Sequence, residues 1–296
     1  MTLNIAFLAC AETLPGSPTR RADAFEHDAQ VGALRAGLVG TDAHVTEIDW
    51  RAPLEQLTGF DLALLGTAWD YTERPAEFLA QLEALEAAGV KVCNPAQVVR
   101  WNADKGYLQE LAKAGAASIP TLWADDPTAD DVARAFDHFD TDRVVVKRRV
   151  GAGAVGQFSL SRANPPAADW RMGHAALIQP FLPAIQREGE YSLIFIAGEF
   201  CHALLKQAAT GDYRIQSLYG GREVPIDPAP ADIAVAAEVL RMLPFSAAPL
   251  YARIDMVRGP DGRLAVIEVE LIEPYLYPRQ GPRLGERLGN AIWQMA

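Results

Sequence analysis

Three carboxylates near the end of the chain have the side-chain type and spacing that suit a hard metal ion. Asp255, Glu268 and Glu270 lie on two predicted strands, which a tight turn centred on Asp261-Gly262 joins. In this register Asp255 is opposite Glu268, and alternation places all three acids on one face. Such oxygen ligands suit Mg²⁺, which also binds substrate phosphates. The same pattern also fits a solvated acidic strand face.

The same register predicts the composition of both faces of this hairpin. Arg253 falls opposite Glu270 and therefore joins the acidic face. Crowding acids on one face is repulsive unless something cationic lies there. The other face is apolar and can be buried; its residues are Ile254, Met256, Ile267 and Val269.

A second candidate site begins at Lys147, which ends a valine-rich strand predicted at Arg143–Lys147. The loop after it carries Gly151, Gly153 and Gly156. Glycines let backbone N–H groups approach an anion, and the lysine adds a point charge. The loop lacks the Gly-Lys-Ser/Thr of a Walker A motif and leads into a strand, so neither a P-loop nor a Rossmann fingerprint fits. A flexible hairpin tip explains the glycines equally well.

The elements that must position these residues begin with an alternation of strands and helices in residues 1–100. Strands are predicted at Ile5–Ala9, Ala43–Ile48, Leu62–Leu65 and Val90–Cys93, and helices at Ala22–Leu38 and Pro75–Ala88. This order implies a parallel sheet covered by helices, with ligands at the carboxyl ends of the strands. Trp69, Asp70 and Tyr71 follow the third strand and would line a substrate pocket or pack on their own scaffold.

The rest of the chain predicts α+β structure. A helix is expected from the segment 102–105 to Ala114, and another at Asp130–Phe139. The expected strands are Arg143–Lys147, Gln157–Leu160, Ala176–Gln179, Tyr191–Ile196, Glu199–Lys206 and Tyr213–Ser217. Helices at Pro230–Met242 and Gly285–Gln294 complete the prediction.

The charged residues of this segment occur in an order that resembles the ATP-grasp superfamily. They are Lys105, Lys147 with its glycine loop, Gln179-Pro-Phe-Leu182, Gly189-Glu190, Lys206, Arg214, Asp255, Glu268 and Glu270. The chain is most similar to the glutathione-synthetase-like branch and, within it, to enzymes of the O-ureido-serine cyclo-ligase type. The resemblance covers residues 102–274. It implies an N-terminal α/β domain (1–100) and two α+β subdomains (101–180 and 181–296) that clasp ATP.

The resemblance also implies a role for each matching residue. The implied ATP contacts are Lys105, Lys147, Gly151, Gly153, Gln179, Leu182 and Glu190, with Glu190 on the ribose. The implied Mg²⁺ ligands are Asp255, Glu268 and Glu270. Catalytic groups facing the phosphates or the acyl phosphate would be Lys206, Arg214 and Arg253, although Arg253 could simply neutralise Glu270. Glu273 would contact the substrate amine or be a loop charge.

The reaction that this resemblance implies is ATP-dependent amide formation on a small, amino-acid-like substrate. A carboxylate attacks the γ-phosphate of ATP and becomes an acyl phosphate, and a nitrogen nucleophile then displaces phosphate. The nitrogen can belong to a second substrate or to the same molecule. An ATP-binding regulatory module without turnover is the alternative from another functional class.

One detail of the sequence opposes the implied role of Glu190. In an ideal hairpin over Ala197-Gly198, Glu190 and Lys206 point to opposite faces. Both residues can face ATP only if a bulge intervenes or if Glu190 precedes the strand.

Composition limits the partners of the protein. The 296 residues carry a formal net charge of -11 with a pI of about 5.0, which argues against nucleic acid or an anionic membrane as the main partner. The apolar start of the chain lacks a basic region and is interpreted as a strand, so a cytoplasmic location is expected. Three cysteines without a CxxC pair are expected to be free thiols, and a homodimer is the default assembly.

Overall fold

The structure is a computed structural model that describes residues 2–151, 156–207 and 221–295. Its described strands form three sheets, one parallel and two antiparallel. The mixed α/β and α+β class predicted from the sequence is therefore confirmed.

The first sheet is parallel, with strand order β2-β1-β3-β4. Its strands are Leu3–Ala9 (β1), Ala43–Asp49 (β2), Leu62–Thr67 (β3) and Lys91–Cys93 (β4). Every residue of β3 is buried, as expected of a central strand with both faces covered. The carboxyl ends of β1 and β3 lie side by side and carry the loops that approach the candidate site.

Helices cover this sheet. They are Phe25–Gly37 (α1), Leu54–Leu57 (α2), Pro75–Ala87 (α3) and, from the end of the chain, Leu284–Met295 (α9). Helices α1 and α9 pack so closely that a Cβ on Gly37 would lie 1.8 Å from the carbonyl oxygen of Gly285. Glycine at this crossing therefore brings the last helix onto the first.

The second sheet is antiparallel, with strand order β5-β8-β6-β7. Its strands are Leu122–Ala124 (β5), Arg143–Arg148 (β6), Phe158–Ser161 (β7) and Ala176–Pro180 (β8). Helix α6 (Ala129–His138) buries Val132 and Phe136 against it. The helix begins at Thr128, whose hydroxyl accepts a hydrogen bond from the backbone of Asp131 in a capping box.

The third sheet is also antiparallel, with strand order β11-β10-β9-β12-β13. Its strands are Glu190–Ile196 (β9), Glu199–Gln207 (β10), Arg222–Ile226 (β11), Tyr251–Arg258 (β12) and Leu264–Glu270 (β13). One face packs on helix α8 (Pro230–Arg241) through an apolar cluster that includes Ile254, Met256 and Val266. The opposite face carries the charged residues of the candidate site.

Several elements differ from those predicted. Lys105 does not lie on a helix: Ala96–Asn102 (α4) and Tyr107–Lys113 (α5) flank a turn that contains it. The sequence analysis missed β5, β11, α2 and a short helix at Ala184–Arg187 (α7), all of which are too short to show a clear hydrophobic period. The strand predicted at Tyr213–Ser217 lies outside the described residues.

Buried side chains join the first sheet to the third. The Asn94 amide donates to the carbonyl oxygens of Tyr251 and Leu271, at 3.0 and 2.8 Å. The Tyr251 hydroxyl donates to the carbonyls of Leu65 and Ile272, at 2.9 and 2.7 Å. These bonds satisfy buried backbone groups and fix the segment that follows β13.

Two further features of the described residues are the state of the cysteines and the length of the apolar helices. Cys10 and Cys93 are buried and Cys201 is half-buried, and all three are free thiols. Within the described ranges, no helix is both long enough and apolar enough to span a membrane.

Candidate active site

The β12–β13 hairpin has the predicted pairing of its charged residues. Asp255 is opposite Glu268, and Arg253 is opposite Glu270. The connection is a loop of five residues, Gly259–Arg263, so the predicted two-residue turn is wrong. A bulge beyond Asp255 compensates, because it shifts the register by one residue between the site and the loop.

The same bulge corrects the predicted apolar face. Met256 is opposite Val266, so Val266 and not Ile267 packs with Ile254 and Met256. Ile267 joins a smaller cluster with Val257 instead. The site residues keep their predicted face because they lie on the far side of the bulge from the loop.

Arg253 is the centre of the charged face. Its guanidinium donates to both carboxylate oxygens of Asp255 at 3.0–3.1 Å, to Glu270, and to the carbonyl oxygen of Tyr275 at 3.0 Å. Burial opposes the charge of Asp255, but Arg253 and Lys206 outweigh it and hold the pKa of Asp255 below its ordinary value. Burial raises the pKa of Glu270 to about 7, although Arg253 opposes this shift.

Lys206 lies between two carboxylates on the same face. Its ammonium is 2.7 Å from Glu190 and 3.3 Å from Asp255. A bulge at Cys201 brings Glu190 directly opposite Lys206, which resolves the conflict found in the ideal hairpin. Gly189 allows this approach, because a Cβ there would lie 2.4 Å from the carbonyl oxygen of Lys206. Asp255 and Glu190 raise the pKa of Lys206 against the effects of burial and Arg253.

Lys105 reaches the site from the turn between α4 and α5. Its ammonium is 2.9 Å from Glu268 and donates to the carbonyl oxygen of Gly151 at 2.6 Å. Arg149 and Asp104 form a two-bond ion pair beside it, at 2.9 and 3.0 Å. The start of the glycine loop is therefore tied to the same turn that carries the lysine.

Lys147 differs from the other cations of the site. It lies at the end of β6, and no hydrogen bond or ion pair joins its ammonium to any described residue. Burial lowers the pKa of Lys147, although Glu268 and Glu190 favour its charged form. A partly desolvated ammonium without an ion pair to the described residues can receive an anion.

Two of the predicted ATP contacts, Gln179 and Leu182, lie at the end of β8 and just after it. The Gln179 side chain is buried and donates to the Thr121 hydroxyl at 3.0 Å. Leu182 is half-buried and packs on the cluster that contains Ile267. Leu182 therefore lies beside the third sheet, whereas Gln179 is held within the second.

The three predicted pocket residues in the loop after β3 have different contacts. The Trp69 indole donates to the carbonyl oxygen of Glu273 at 3.3 Å, which places it beside the acidic segment. Asp70 accepts from Trp50 at 2.6 Å and lies 3.5 Å from Arg51, and Tyr71 packs on Phe78. Asp70 and Tyr71 therefore have structural partners, whereas Trp69 borders the site.

Glu273 lies in the segment after β13. No described cation contacts its carboxylate, and burial together with Glu270 raises its pKa to about 8. Two other predicted site residues, Gly153 and Arg214, lie outside the described residues.

Sequence reasoning missed two polar groups of this face. Ser192 is fully buried and donates to Asp255. Glu223 is opposite Lys206 on β11, a strand that was not predicted. A serine in an otherwise apolar strand was the one available signal for Ser192.

The three predicted metal ligands fit an ion that binds together with phosphates. Asp255 and Glu270 contact Arg253, and Glu268 contacts Lys105. In the described part of the chain, no three His, Cys, Asp or Glu side chains are grouped closely enough to hold a metal among themselves. Mg²⁺ commonly binds one or two carboxylates plus phosphates and water, so this oxygen set suits it without forming a complete cage.

Comparison with known proteins identifies the family. The D-cycloserine synthetase DcsG N-terminal domain family matches residues 5–94. The cycloserine biosynthesis protein DcsG of Streptomyces lavendulae is 30% identical over 253 residues, which are 80% of this chain and 83% of that protein.

Solved structures agree with this relationship. The crystal structure of D-cycloserine synthetase DcsG superposes with a TM-score of 0.80 at 25% identity, covering 99% of both chains. The ATP-grasp ligase PsnB, complexed with a minimal precursor, Mg and ADP, shares the fold at 15% identity, with a TM-score of 0.64 and 98% and 97% coverage of this chain and of PsnB. The chain therefore belongs to the DcsG family of ATP-grasp ligases, and it is an ATP-dependent, amide-forming enzyme.

Proposed function

We propose that this ligase activates the carboxylate of a serine-derived amino acid and closes it onto a nitrogen of the same molecule. The observation that carries the proposal is the charged sheet face, where Arg253 and Lys206 lie among carboxylates. The relationship to a cycloserine biosynthesis protein supports ring closure, because the cycloserine ring is closed by an acyl–nitrogen bond.

The nucleotide is ATP in this proposal, and the second and third sheets bind it between them. Lys147 and Lys105 face the phosphates together with the backbone of the loop that begins at Gly151. Adenine lies at the Gln179–Leu182 connection, and the Glu190 carboxylate takes the ribose hydroxyls. Burial raises the pKa of Glu190, whereas the ion pair with Lys206 opposes this shift and orients the carboxylate.

The metal in this proposal is Mg²⁺, held by Asp255, Glu268 and Glu270. When bound, it neutralises phosphate charge and holds the phosphates for in-line transfer. Lys105 and Arg253 contact these carboxylates in the structure, so both cations are already close to the place where phosphate charge would collect.

Two displacement steps follow from this arrangement. A carboxylate oxygen of the substrate attacks the γ-phosphorus, and the bond to ADP breaks. The substrate nitrogen then attacks the acyl carbon, the carbon–oxygen bond to phosphate breaks, and the nitrogen loses its proton. Arg253 and Lys206 stabilise the negative charge that develops on the transferred phosphoryl group and on the acyl oxygen.

The substrate side of the site faces the first sheet. Trp69 and Glu273 border it, because the indole is bonded to the Glu273 backbone and the carboxylate has no described partner. We assign Glu273 to the substrate nitrogen, either by direct contact or as the group that accepts its proton. Asp70 and Tyr71 shape the pocket only through the loop that they stabilise.

A substrate screen tests the proposal. Purified protein is incubated with Mg²⁺, ATP and a panel of acids that includes O-ureido-D-serine, O-ureido-L-serine, D-alanine, L-alanine and L-glutamate, and ADP release is measured. Expected is ADP release with an O-ureido-serine, together with a product whose mass corresponds to one cyclised substrate. A product that joins two substrates would replace ring closure by intermolecular ligation. ATP binding without turnover of any acid would overturn the proposal and favour a regulatory module.

A further inference from the structure

One buried residue beside the charged face has a backbone conformation that residues other than glycine usually avoid. Tyr277 has a φ of 51°, in the left-handed region, and its side chain is only 6% exposed. Among the described residues other than glycine, Asp140 and Ala197 also have a positive φ, but both are exposed and lie in turns. A bulky residue keeps this conformation only where its surroundings impose it, and such positions cluster at functional sites.

Contacts on both sides of Tyr277 fix its backbone. Before it, the backbone N–H of Leu276 donates to the Gln30 side chain of α1 at 2.9 Å. After it, the N–H groups of Gln280 and Gly281 both donate to the Tyr277 carbonyl, at 3.1 and 3.0 Å. The chain is therefore anchored on α1 and turns directly afterwards, which leaves Tyr277 to absorb the change of direction.

The Tyr277 ring lies against the two cations that carry the proposed chemistry. The Arg253 guanidinium is 5.6 Å from the ring centroid, and the Lys206 ammonium is 5.8 Å from it. Both distances are within the range of a cation–π interaction. The Tyr275 ring packs on Tyr277 at 4.6 Å, and the Tyr275 carbonyl accepts from the same guanidinium at 3.0 Å. This segment therefore holds Arg253 by a carbonyl and by a ring.

A ring face holds a cation differently from a carboxylate. A carboxylate accepts the N–H groups of Arg253 and Lys206 and so competes for them with a phosphoryl group. A ring attracts the same positive charge without accepting those N–H groups, so the cations stay in place while their donors can turn toward developing negative charge. The buried ring also excludes water from this side of the charged face.

We propose that Tyr277 is a positioning residue of the ligase, whose ring orients Arg253 and Lys206 toward the acyl phosphate and keeps water from that intermediate. The inference rests on the proposed function, in which these cations face the transferred phosphoryl group and the acyl oxygen. Without the ring, water attacks the acyl carbon of part of the intermediate. The carbon–oxygen bond to phosphate then breaks, and free acid, phosphate and a proton are released in place of the amide.

The test separates the ring of Tyr277 from its hydroxyl and its backbone. Wild-type protein and variants are incubated with Mg²⁺, ATP and O-ureido-D-serine or O-ureido-L-serine, and ADP and amide product are both measured. Tyr277→Phe keeps the ring, so kcat should stay within about threefold of wild type, with one product per ADP. Tyr277→Leu should lower kcat about 10- to 100-fold with little change in KM, and should form less than one product per ADP.

A second variant removes the ring without straining the backbone. Asparagine accepts a positive φ more readily than leucine, so Tyr277→Asn should fold even if Tyr277→Leu does not. It should show the same loss of kcat and of product per ADP. Urea unfolding checks that each variant is folded.

The control is Tyr191→Leu, on the opposite face of the same sheet. The Arg258 guanidinium lies 5.0 Å from the Tyr191 ring, and Tyr191 packs on the apolar cluster beneath α8. This change should leave kcat and product per ADP unaltered. Wild-type values in Tyr277→Asn, or equal losses in Tyr277→Phe, would overturn the inference, while the proposed ligase function would stand. Absence of acid-dependent ADP release in wild-type protein would overturn both.

Discussion

The carboxylates on the face of the third sheet and those at its rim differ in what neutralises them. Asp255, Glu268 and Glu270 each contact a lysine or an arginine. Among the described residues, Glu26 and Glu273 have no cationic contact at all. Glu268, Glu270, Glu26 and Glu273 are all half-buried, so among these four carboxylates the difference is ion pairing with the described residues and not solvent exposure.

The difference indicates two ways to prepare a site for a cation. A paired carboxylate such as Asp255 favours its charged form, because Arg253 and Lys206 outweigh the effect of burial and hold its pKa below the ordinary value. An unpaired carboxylate such as Glu273, with a pKa of about 8, becomes fully charged only when a cationic ligand arrives. Lys147 is the counterpart of opposite sign, because it forms no ion pair with any carboxylate among the described residues.

Removal of a paired charge should produce the largest effect. Asp255→Asn leaves Arg253 and Lys206 buried with too little negative charge, so we expect the free energy of unfolding to fall by about 3 kcal/mol. ADP release should fall by about 1,000-fold or more, because phosphoryl transfer loses a metal ligand and two oriented cations. Urea unfolding and steady-state kinetics measure the two effects.

The matched control removes an ion pair that joins helix α8 to the end of the same strand, β12. Asp232 pairs with Arg258 of β12 at 3.0 Å, away from the site, so Asp232→Asn removes an ion pair without touching the pocket. We expect a small loss of stability and unchanged kcat. Normal turnover in Asp255→Asn would remove Asp255 from the metal site.

Removal of the unpaired cation should separate stability from function. Lys147→Met deletes a half-buried charge that has no ion pair among the described residues, so unfolding should require about 1 kcal/mol more without nucleotide. The same change should weaken ATP binding roughly 10- to 100-fold, because a charge-assisted contact to phosphate is lost. Calorimetric titration with ATP and urea unfolding give the two values.

Lys113→Met is the control for this pair of measurements, because Lys113 lies on the exposed side of α5. It should change neither stability nor ATP affinity. Loss of stability in Lys147→Met would mean that the ammonium has a structural partner, and the contrast with Asp255 would then disappear.

The part of the site that was predictable from the sequence lies on two strands that are neighbours in the chain and pair with each other. The acidic hairpin was found because strand alternation and an Asp-Gly turn signal constrain one another within twenty residues. The five-residue loop and its bulge were not predicted, yet their effects cancel at Asp255 and Glu268. The prediction is wrong at Ile267, because the bulge places Val266 instead of Ile267 in the core with Ile254 and Met256.

The part that was missed depends on contacts between distant segments. Glu26 looks like an ordinary first-turn acid, and only its spacing of four from Gln30 hints at a shared face. Its neighbourhood is set by Leu276, 250 residues later, whose backbone N–H donates to Gln30. Lys105 was assigned to a helix because its neighbours favour helix, but contacts with Glu268 and Gly151 hold it in a turn.

The smallest predicted effect is a pH dependence caused by the unpaired carboxylates. Because burial raises the pKa of Glu273 from 4.5 to about 8, the folded protein binds more protons than the unfolded chain between these values. Its stability without nucleotide should therefore fall as pH rises, by about 1 kcal/mol per pH unit for this one group. In Glu273→Gln the fall between pH 6.5 and pH 8 should be shallower by this amount.

The choice of pH window separates the effect of Glu273 from that of His202. Burial lowers the pKa of His202 to about 4, so His202 makes stability rise with pH, but only below about 6.5. Glu77→Gln, an exposed change on α3, should leave the slope above pH 6.5 unaltered. An unchanged slope in Glu273→Gln would show that this carboxylate is neutralised in solution, and it would then belong with the paired group on the sheet face.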